Sequence, residues 1–173
     1  MNEIFTSYEE FRSKSDKSIP EAVEIISGHL AKHIQISSFY DDTEQCTDLI
    51  FKQNELRIAH RARTYNPKFE FNDVSIKMES AYGPHIKVEY HKLLEIDIKP
   101  ETLFWYFYCQ FCYQEKKIKR YILYDVEKLS KYEGFRTGRI LKKVYNTQDK
   151  GSSFGLIKFS DLEKIDCIIE LKK

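Results

Sequence analysis

TDLIFKQNELRIAHRAR, residues 47–63, is the stretch that decides how this chain folds. A short apolar run, Leu49 to Phe51, leads into a polar turn near Asn54, and a second run then interleaves apolar residues with cations. Two such runs joined by a polar turn predict a β-hairpin. An acid, Asp48, opens the first strand and arginines close the second, so this hairpin is the first place to look for chemistry.

Length and composition predict one globular domain over residues 1–173. Hydrophobic residues make up 42% of the chain and charged residues 32%, a balance that disfavours disordered and fibrous classes. The formal net charge is +1, so any contact with nucleic acid has to be local. The sequence shows no apolar run long enough for a bilayer and no signal peptide, and we therefore expect a cytoplasmic protein with no membrane partner.

Helical periodicity is strongest from about residue 19 to 33, where Pro20 near the first turn predicts the start of an amphipathic helix. A capping-box pattern further upstream predicts a short helix that carries Phe11. Extended segments are predicted at residues 34–39, in both arms of the hairpin, at residues 69–78 with a bulge near Asp73, and at residues 86–90. The last of these is predicted to lead into a short helical piece near Leu93 and Leu94.

The aromatic run TLFWYFYCQFCY, residues 102–113, fits a buried strand and a buried helix equally well by periodicity, and its aromatic content favours a strand. Residues 121–124 complete a central hairpin, and Asp125 begins a short helix. A late strand is predicted at residues 154–159. The expected fold is α/β (α+β), with a mixed central sheet of about five strands flanked by helices.

The hairpin carries a recognisable pattern of acids and cations. Hydrolysis of a phosphodiester with a divalent metal requires carboxylates to hold the ion and a cation to offset the developing negative charge. With Asp48 on one strand and arginines on its partner, the sequence resembles the PD-(D/E)XK nuclease superfamily, whose pattern is an acid on one core strand and an acid or glutamine, any residue, then lysine on the next. Within it, the chain is similar to small phage and mobile-element proteins of nuclease type.

The resemblance covers roughly residues 40 to 130 and implies a restriction-endonuclease-like core that binds Mg²⁺. The matching stretches are Asp48-Leu49-Ile50, Ile58-Ala59-His60-Arg61-Ala62-Arg63, Val74-Ser75-Ile76-Lys77, Glu89-Tyr90-His91-Lys92 and Trp105-Tyr106-Phe107-Tyr108. These are short, degenerate motifs.

The sequence departs from the family pattern on the second strand. Ala59 stands where an acid or glutamine is expected and cannot ligate a metal, and Arg61 stands where lysine is expected. Carboxylates from neighbouring elements can converge on one ion, so the metal ligands implied here are Asp48 with Glu24 and Glu55. The catalytic residues implied are Asp48, Arg61 and Glu89, with Arg61 stabilising the charge of the reacting phosphate.

A nucleic-acid-binding face is predicted on the second strand of the hairpin. Arg57, Arg61 and Arg63 share one face by period-two spacing, while His60 points to the other. Lys77, on a neighbouring strand, and Lys92, from the matched acid–lysine stretch, extend this face. Further cations cluster at residues 116–120 and 136–143. A run of charges is also often no more than a solvated surface.

Two other motifs have structural explanations as well as functional ones. Cys109 and Cys112 form a C-x-x-C, which is typical of redox or zinc sites, yet in a strand the two thiols point to opposite faces and are better explained as free thiols. His29 and His33 have the spacing of paired metal ligands, without a third ligand nearby.

Two functions from different classes follow. The first is a metal-dependent nuclease, or a nuclease-derived nucleic-acid-binding protein, acting on DNA or RNA with Mg²⁺. The alternative is a catalytically inactive accessory protein of a phage or mobile element that binds a protein partner.

Overall fold

Two β-sheets organise the chain, a larger mixed one and a smaller antiparallel one. The computed structural model describes residues 16–30, 35–36, 49–51, 56–83, 88–95, 104–145 and 151–173. In chain order the elements are α1 (Ile19–Leu30), β1 (Gln35–Ile36), β2 (Leu49–Phe51), β3 (Leu56–Thr64), β4 (Asp73–Glu79), α2 (Glu89–Glu95), β5 (Phe104–Cys112), β6 (Lys117–Asp125), α3 (Val126–Lys131), α4 (Glu133–Arg136), β7 (Lys142–Tyr145), β8 (Ser153–Lys158), α5 (Phe159–Lys164) and β9 (Ile168–Lys172).

The large sheet has the strand order β1-β2-β3-β5-β6-β9, and the small sheet has the order β4-β8-β7. The predicted hairpin is confirmed, since β2 pairs antiparallel with β3 and Leu49 lies opposite Ile58. β3 and β5 run parallel, whereas the other pairs of the large sheet are antiparallel. The expected mixed sheet with helices is therefore present, and over the described residues it has six strands rather than about five, beside a second sheet of three.

The burial of β5 on both faces explains why periodicity alone could not decide whether the aromatic run forms a strand or a helix. The strand is hydrogen-bonded to β3 on one side and to β6 on the other. Tyr106 and Tyr108 pack into the core on one face of the sheet, while Trp105 and Phe107 pack into the core on the other. A strand that is buried on both faces reads as a continuous apolar run, without alternation.

α1 covers one face of the large sheet. Ala22 and Ile26, one helical turn apart, are fully buried against residues of β3, β5 and β6. The carboxylate of Glu21 accepts a hydrogen bond from the backbone N–H of Ile118 at 2.6 Å, which ties the helix to β6. The predicted amphipathic helix is confirmed from Ile19 to Leu30, and it packs on this face of the sheet.

The opposite face of the large sheet lies under the small sheet and the other helices. Val74 and Ile76 of β4, Leu93 of α2 and Phe135 of α4 share one core cluster with Tyr106 of β5. α3 begins where the sequence predicts, because the side chain of Asp125 caps it by accepting from the backbone N–H of Lys128 at 3.1 Å.

Two strand details predicted from the sequence are wrong. The strand predicted at residues 86–90 is contradicted over residues 88–90, because α2 begins at Glu89 and buries Tyr90 and Leu93 at helical spacing, and residues 86 and 87 lie outside the described residues. The short helix predicted near Leu93 and Leu94 is confirmed as part of α2. The bulge near Asp73 is also wrong, since Asp73 pairs directly with Lys158 and the register slips between Lys77 and Glu79. The alternation fails near Asp73 because Phe71, before the strand begins, is already part of the core.

The predicted helix carrying Phe11, and residues 34 and 37–39 of the first extended segment, lie outside the described residues. Within the described ranges, no helix is both long and apolar enough to cross a membrane.

His60 gives a pH-dependent test of how α1 is held on the sheet. Its Nε2 lies 2.9 Å from the Ser18 hydroxyl, its ring stacks on Phe107, and burial lowers its pKa from 6.5 to about 4. Above pH 6.5 the imidazole is neutral in both folded and unfolded chains. As the pH falls towards 4 the unfolded chain takes up the proton first, and we expect a loss of stability on the order of 3 kcal/mol.

The measurement is urea denaturation from pH 7 to pH 4 of the wild type and of His60→Gln, which should lose less stability over that interval. His91→Asn, which removes an exposed imidazole, is the control and should follow the wild type. Parallel curves for the wild type and His60→Gln would contradict the burial of a neutral His60.

Candidate functional site

The alternation along β3 sends Arg61 and Arg63 to one face of the large sheet and His60 to the other, as predicted. Ala59 is 3% exposed and lies in the core under the small sheet. Arg61, two residues on, reaches the same layer, where its Nη1 donates to the backbone oxygen of Ser75 at 3.5 Å. His60 points the other way, to Ser18 beside α1. The arginine face is therefore largely an interior face.

The carboxylate of Glu89 accepts hydrogen bonds from three groups in this layer. Its Oε2 accepts a hydrogen bond from Arg61 Nη2 at 2.9 Å and another from the backbone N–H of Lys77 at 2.9 Å. Its Oε1 accepts from the hydroxyl of Tyr106. The side chain of Glu89 is 12% exposed and that of Arg61 is 26% exposed. We call Arg61, Glu89, Tyr106 and the N–H of Lys77 the Glu89 cluster.

Three elements bring these groups together. Glu89 is the first residue of α2, and the burial of Tyr90 and Leu93 fixes how this helix sits on the core. The hydroxyl of Tyr90 donates to the backbone oxygen of Phe135 at 3.0 Å, which ties α2 to α4. The guanidinium of Arg61 lies 5.9 Å from the centre of the Phe154 ring, so the small sheet covers it. The position of the carboxylate therefore depends on packing far along the chain.

The electrostatics of the Glu89 cluster favour a fixed ion pair. Burial acts to lower the pKa of Arg61, but the carboxylate of Glu89 and the neighbouring tyrosine hydroxyls outweigh it, and the pKa is raised. Burial also holds the pKa of Tyr106 well above its ordinary value. Arg61 stays a cation and Tyr106 stays a protonated donor, so neither is suited to act as a general base near neutral pH.

Tyr124 borders the Glu89 cluster. Its ring stacks on Tyr106, with ring centres 5.2 Å apart, and burial followed by the charge of Glu89 raises its pKa well above the ordinary value. Its buried hydroxyl has no hydrogen-bond partner among the described residues. An unsatisfied buried hydroxyl costs about 1–3 kcal/mol, and functional or strained sites are where such costs are commonly found.

The acids predicted from the sequence do not all meet. Glu89 and Arg61, both predicted to be catalytic, are in direct contact. Glu24 is exposed on α1, which packs against the opposite face of the large sheet, so it cannot join Glu89 around one ion without rearrangement. Asp48 and Glu55 lie outside the described residues. Their role as metal ligands stays a prediction.

The described residues around Glu89 do not fit a Mg²⁺ site. Both carboxylate oxygens already accept hydrogen bonds, and the guanidinium of Arg61 occupies the side from which a cation would approach. Ala59 offers no ligand. Among the residues that the structure describes, no group of three or more histidine, cysteine, aspartate and glutamate side chains could hold a metal.

The predicted nucleic-acid-binding residues are dispersed. Arg63 is exposed, with its guanidinium 5.5 Å from the centre of the Tyr108 ring. Lys77 does not lie on a strand next to β3, because β4 belongs to the small sheet, and its N–H serves Glu89. Lys92 is half-buried in α2. For Arg57 the structure describes the strand backbone and not the side chain.

Two residues of this layer, Tyr106 and Tyr124, were not predicted from the sequence. Tyr106 donates to Glu89 and Tyr124 stacks on Tyr106, and neither was a predicted site residue. The available signal was the period-two spacing of Tyr106 and Tyr108 within the aromatic run, which puts two hydroxyls on one face of β5. The pairing of Tyr106 with Tyr124 across β5 and β6 could be read once the hairpin register was known.

The thiol and imidazole motifs yield no metal or redox site in the described residues. Cys109 is buried and Cys112 is half-buried, and both are free. Burial raises the pKa of Cys109 to about 12, so its thiol is protonated and unreactive at neutral pH. The free-thiol explanation is therefore favoured. The side chain of His29 and the whole of His33 lie outside the described residues.

Comparison with family models, with curated proteins and with solved structures finds no match to this chain.

The Glu89 cluster predicts a large stability effect for a small change. Glu89→Gln keeps the shape of the side chain but leaves the half-buried guanidinium of Arg61 without a counter-charge. Removing one partner of a buried pair typically costs about 3–5 kcal/mol, and we expect about 3 kcal/mol in urea denaturation.

The matched control is Glu115→Gln, which breaks the exposed ion pair with Lys119 and should cost less than about 1 kcal/mol. The double variant Arg61→Met with Glu89→Gln should recover part of the loss, because no charge is then left unpaired. Equal costs for Glu89→Gln and Glu115→Gln would show that the cluster does not hold the layers together.

Proposed function

We propose that this protein is a nuclease-derived nucleic-acid-binding protein that holds DNA or RNA with unpaired bases at one end of its large sheet. The proposal has two parts. The Glu89 cluster is a fixed ion pair and not a centre of cleavage. Binding takes place at a basic surface formed where β3 and β5 end and β6 begins.

The proposal rests on cations at this end of the large sheet that have no ion-pair partner among the described residues. β3 and β5 end side by side, and the turn between β5 and β6 follows at once. Arg63 lies opposite Gln110 on β5, which in turn lies opposite Arg120 on β6. Five cations lie here without a described acid within ion-pair distance: Arg63, Lys68, Lys116, Lys117 and Arg120. We call these five cations, together with Phe69, the sheet-end surface.

An exposed aromatic ring sits among these cations. Phe69 is 68% exposed, although phenylalanine is normally buried. The backbone oxygen of Phe69 accepts a hydrogen bond from Arg120 Nη1 at 2.8 Å, and the same guanidinium lies 5.0 Å from the centre of the Tyr65 ring. Cations that contact phosphates, combined with a ring on which bases stack, are the usual means of binding single strands.

The charge balance of the whole chain is compatible with a local surface of this kind. The formal net charge is +1, so acids elsewhere offset these cations. Glu115, at the tip of the β5–β6 turn, is paired with Lys119 and does not neutralise the neighbouring lysines. Attraction of a polyanion then depends on the sheet-end surface and should weaken steeply as salt is added.

The fold supports a nuclease origin at a coarse level. A mixed sheet with α1 on one face, and Arg61 contacting Glu89 on the other, is compatible with a restriction-endonuclease-like core whose catalytic residues have become an ion pair. In this proposal Mg²⁺ has no role at Glu89, and the protein acts in the cytoplasm.

Phe69→Ala tests the stacking part of the proposal. Stacking of a base on an aromatic side chain is worth about 1–3 kcal/mol, so we expect the variant to bind a fluorescein-labelled single-stranded oligonucleotide about tenfold more weakly, measured by fluorescence anisotropy at low salt. The matched control is Tyr145→Ala, which removes an equally exposed ring from β7 and should bind like the wild type.

Circular dichroism would check that both variants keep the fold. Equal affinities for Phe69→Ala and the wild type would remove stacking from the proposal. A wild type that passes through heparin at low salt and binds no oligonucleotide would refute nucleic-acid binding, and would favour the accessory protein that binds a protein partner.

Cleavage is tested separately with Mg²⁺ and Mn²⁺. Wild-type protein incubated with single- and double-stranded DNA and RNA should leave them intact, because the Glu89 carboxylate is committed to Arg61 and Tyr106. Cleavage that is lost in Asp48→Ala would instead establish a metal-dependent nuclease, with its ligands around Asp48.

A further inference from the structure

A second basic feature lies on the small sheet, away from the Glu89 cluster. The turn before β7, the strands β7 and β8 and the start of α5 enclose a groove of about 430 Å³. We call it the β7–β8 groove. Its charged and hydroxyl lining residues are Arg139, Lys142, Lys158, Ser160, Asp161 and Lys164.

The groove has an excess of positive charge. Four cations and one carboxylate line it, a formal net charge of +3. The single acid, Asp161, is already paired with Lys164 at 3.3 Å. Arg139, Lys142 and Lys158 have no described acid within ion-pair distance. Concave surfaces lined by one sign of charge focus the electrostatic potential and concentrate ions of the opposite sign.

The pairing of β7 with β8 explains why these cations converge. Lys142 lies opposite Leu156, and Lys158 follows Leu156 by two residues, so all three project from the same face of the small sheet. The side chain of Leu156 lines the groove together with Lys142 and Lys158.

An acid lies beside the groove. Asp73 is directly opposite Lys158 where β4 pairs with β8, so the two side chains project from the same face of the small sheet. Burial raises the pKa of Asp73, and the charges of Arg63 and Lys142 both oppose that rise. Asp73 therefore offsets part of the positive charge of the groove, and four cations against two acids still leave a formal net charge of +2.

We propose that the β7–β8 groove binds phosphate groups of the nucleic-acid backbone, with Lys142 and Lys158 as the main contacts. This inference rests on the proposed function and adds a second contact region to it. The Ser160 hydroxyl supplies a neutral donor at the same opening. Because lysine contacts phosphate as a point charge, the groove contributes affinity without reading base sequence.

The salt dependence of binding tests this inference. Each phosphate contact contributes about 0.7 to the slope of log K against log salt for single strands. The double variant Lys142→Gln with Lys158→Gln should lower the magnitude of that slope by about 1.4 and weaken binding at low salt at least tenfold. The control, Lys128→Gln with Lys131→Gln, removes the same charge from exposed positions on α3, which follows the opposite end of β6, and should keep the wild-type slope.

The outcomes separate this inference from the proposed function. A groove variant that binds with the wild-type slope, while the wild type does bind the oligonucleotide, overturns the groove and leaves the proposed function standing. A wild type that binds no oligonucleotide overturns both. The four lysines are exposed, so thermal denaturation should show the same stability for both double variants and exclude loss of fold as the cause.

Discussion

The carboxylate of Glu89 joins three layers of this protein. It stands at the start of α2, accepts from Arg61 and Tyr106 of the large sheet, and accepts from the N–H of Lys77 on the small sheet. Replacing such a buried pair with apolar residues is often no less stable, so its value lies in specificity. One spacing and one alignment of the two sheets satisfy all three donors at once.

Elements with a strong local signal could be predicted from the sequence, and those that depend on distant partners could not. The hairpin at residues 47–63 and the cap at Asp125 are set by residues close together in the chain, and both are present. The assignment of β4 to a separate sheet depends on β8, far along the chain, and nothing near residues 73–79 indicates it. The strand predicted at residues 86–90 failed because the burial of Tyr90 and Leu93 against the core outweighed a short alternation.

In the candidate site, too, local signals could be predicted from the sequence and contacts with distant residues could not. The matched stretches contained Arg61 and Glu89, and the two do meet, but as partners in an ion pair. Glu24 lies on the helix that covers the opposite face of the sheet from Glu89, and which face a helix covers is a property of the tertiary fold that the sequence does not show. The cations at residues 116–120 and 136–143 were visible as clusters, whereas the convergence of Lys142 and Lys158 required the register of β7 on β8.

The pairing of β4 with β8 also governs the order in which the protein can assemble. During synthesis β4 is made long before its partner, so its apolar residues and its unpaired edge stay exposed until β8 has left the ribosome. The parallel β3–β5 pair adds a second contact between segments that are distant in sequence. Such long-range pairing slows folding and prolongs the time for which apolar surface is exposed.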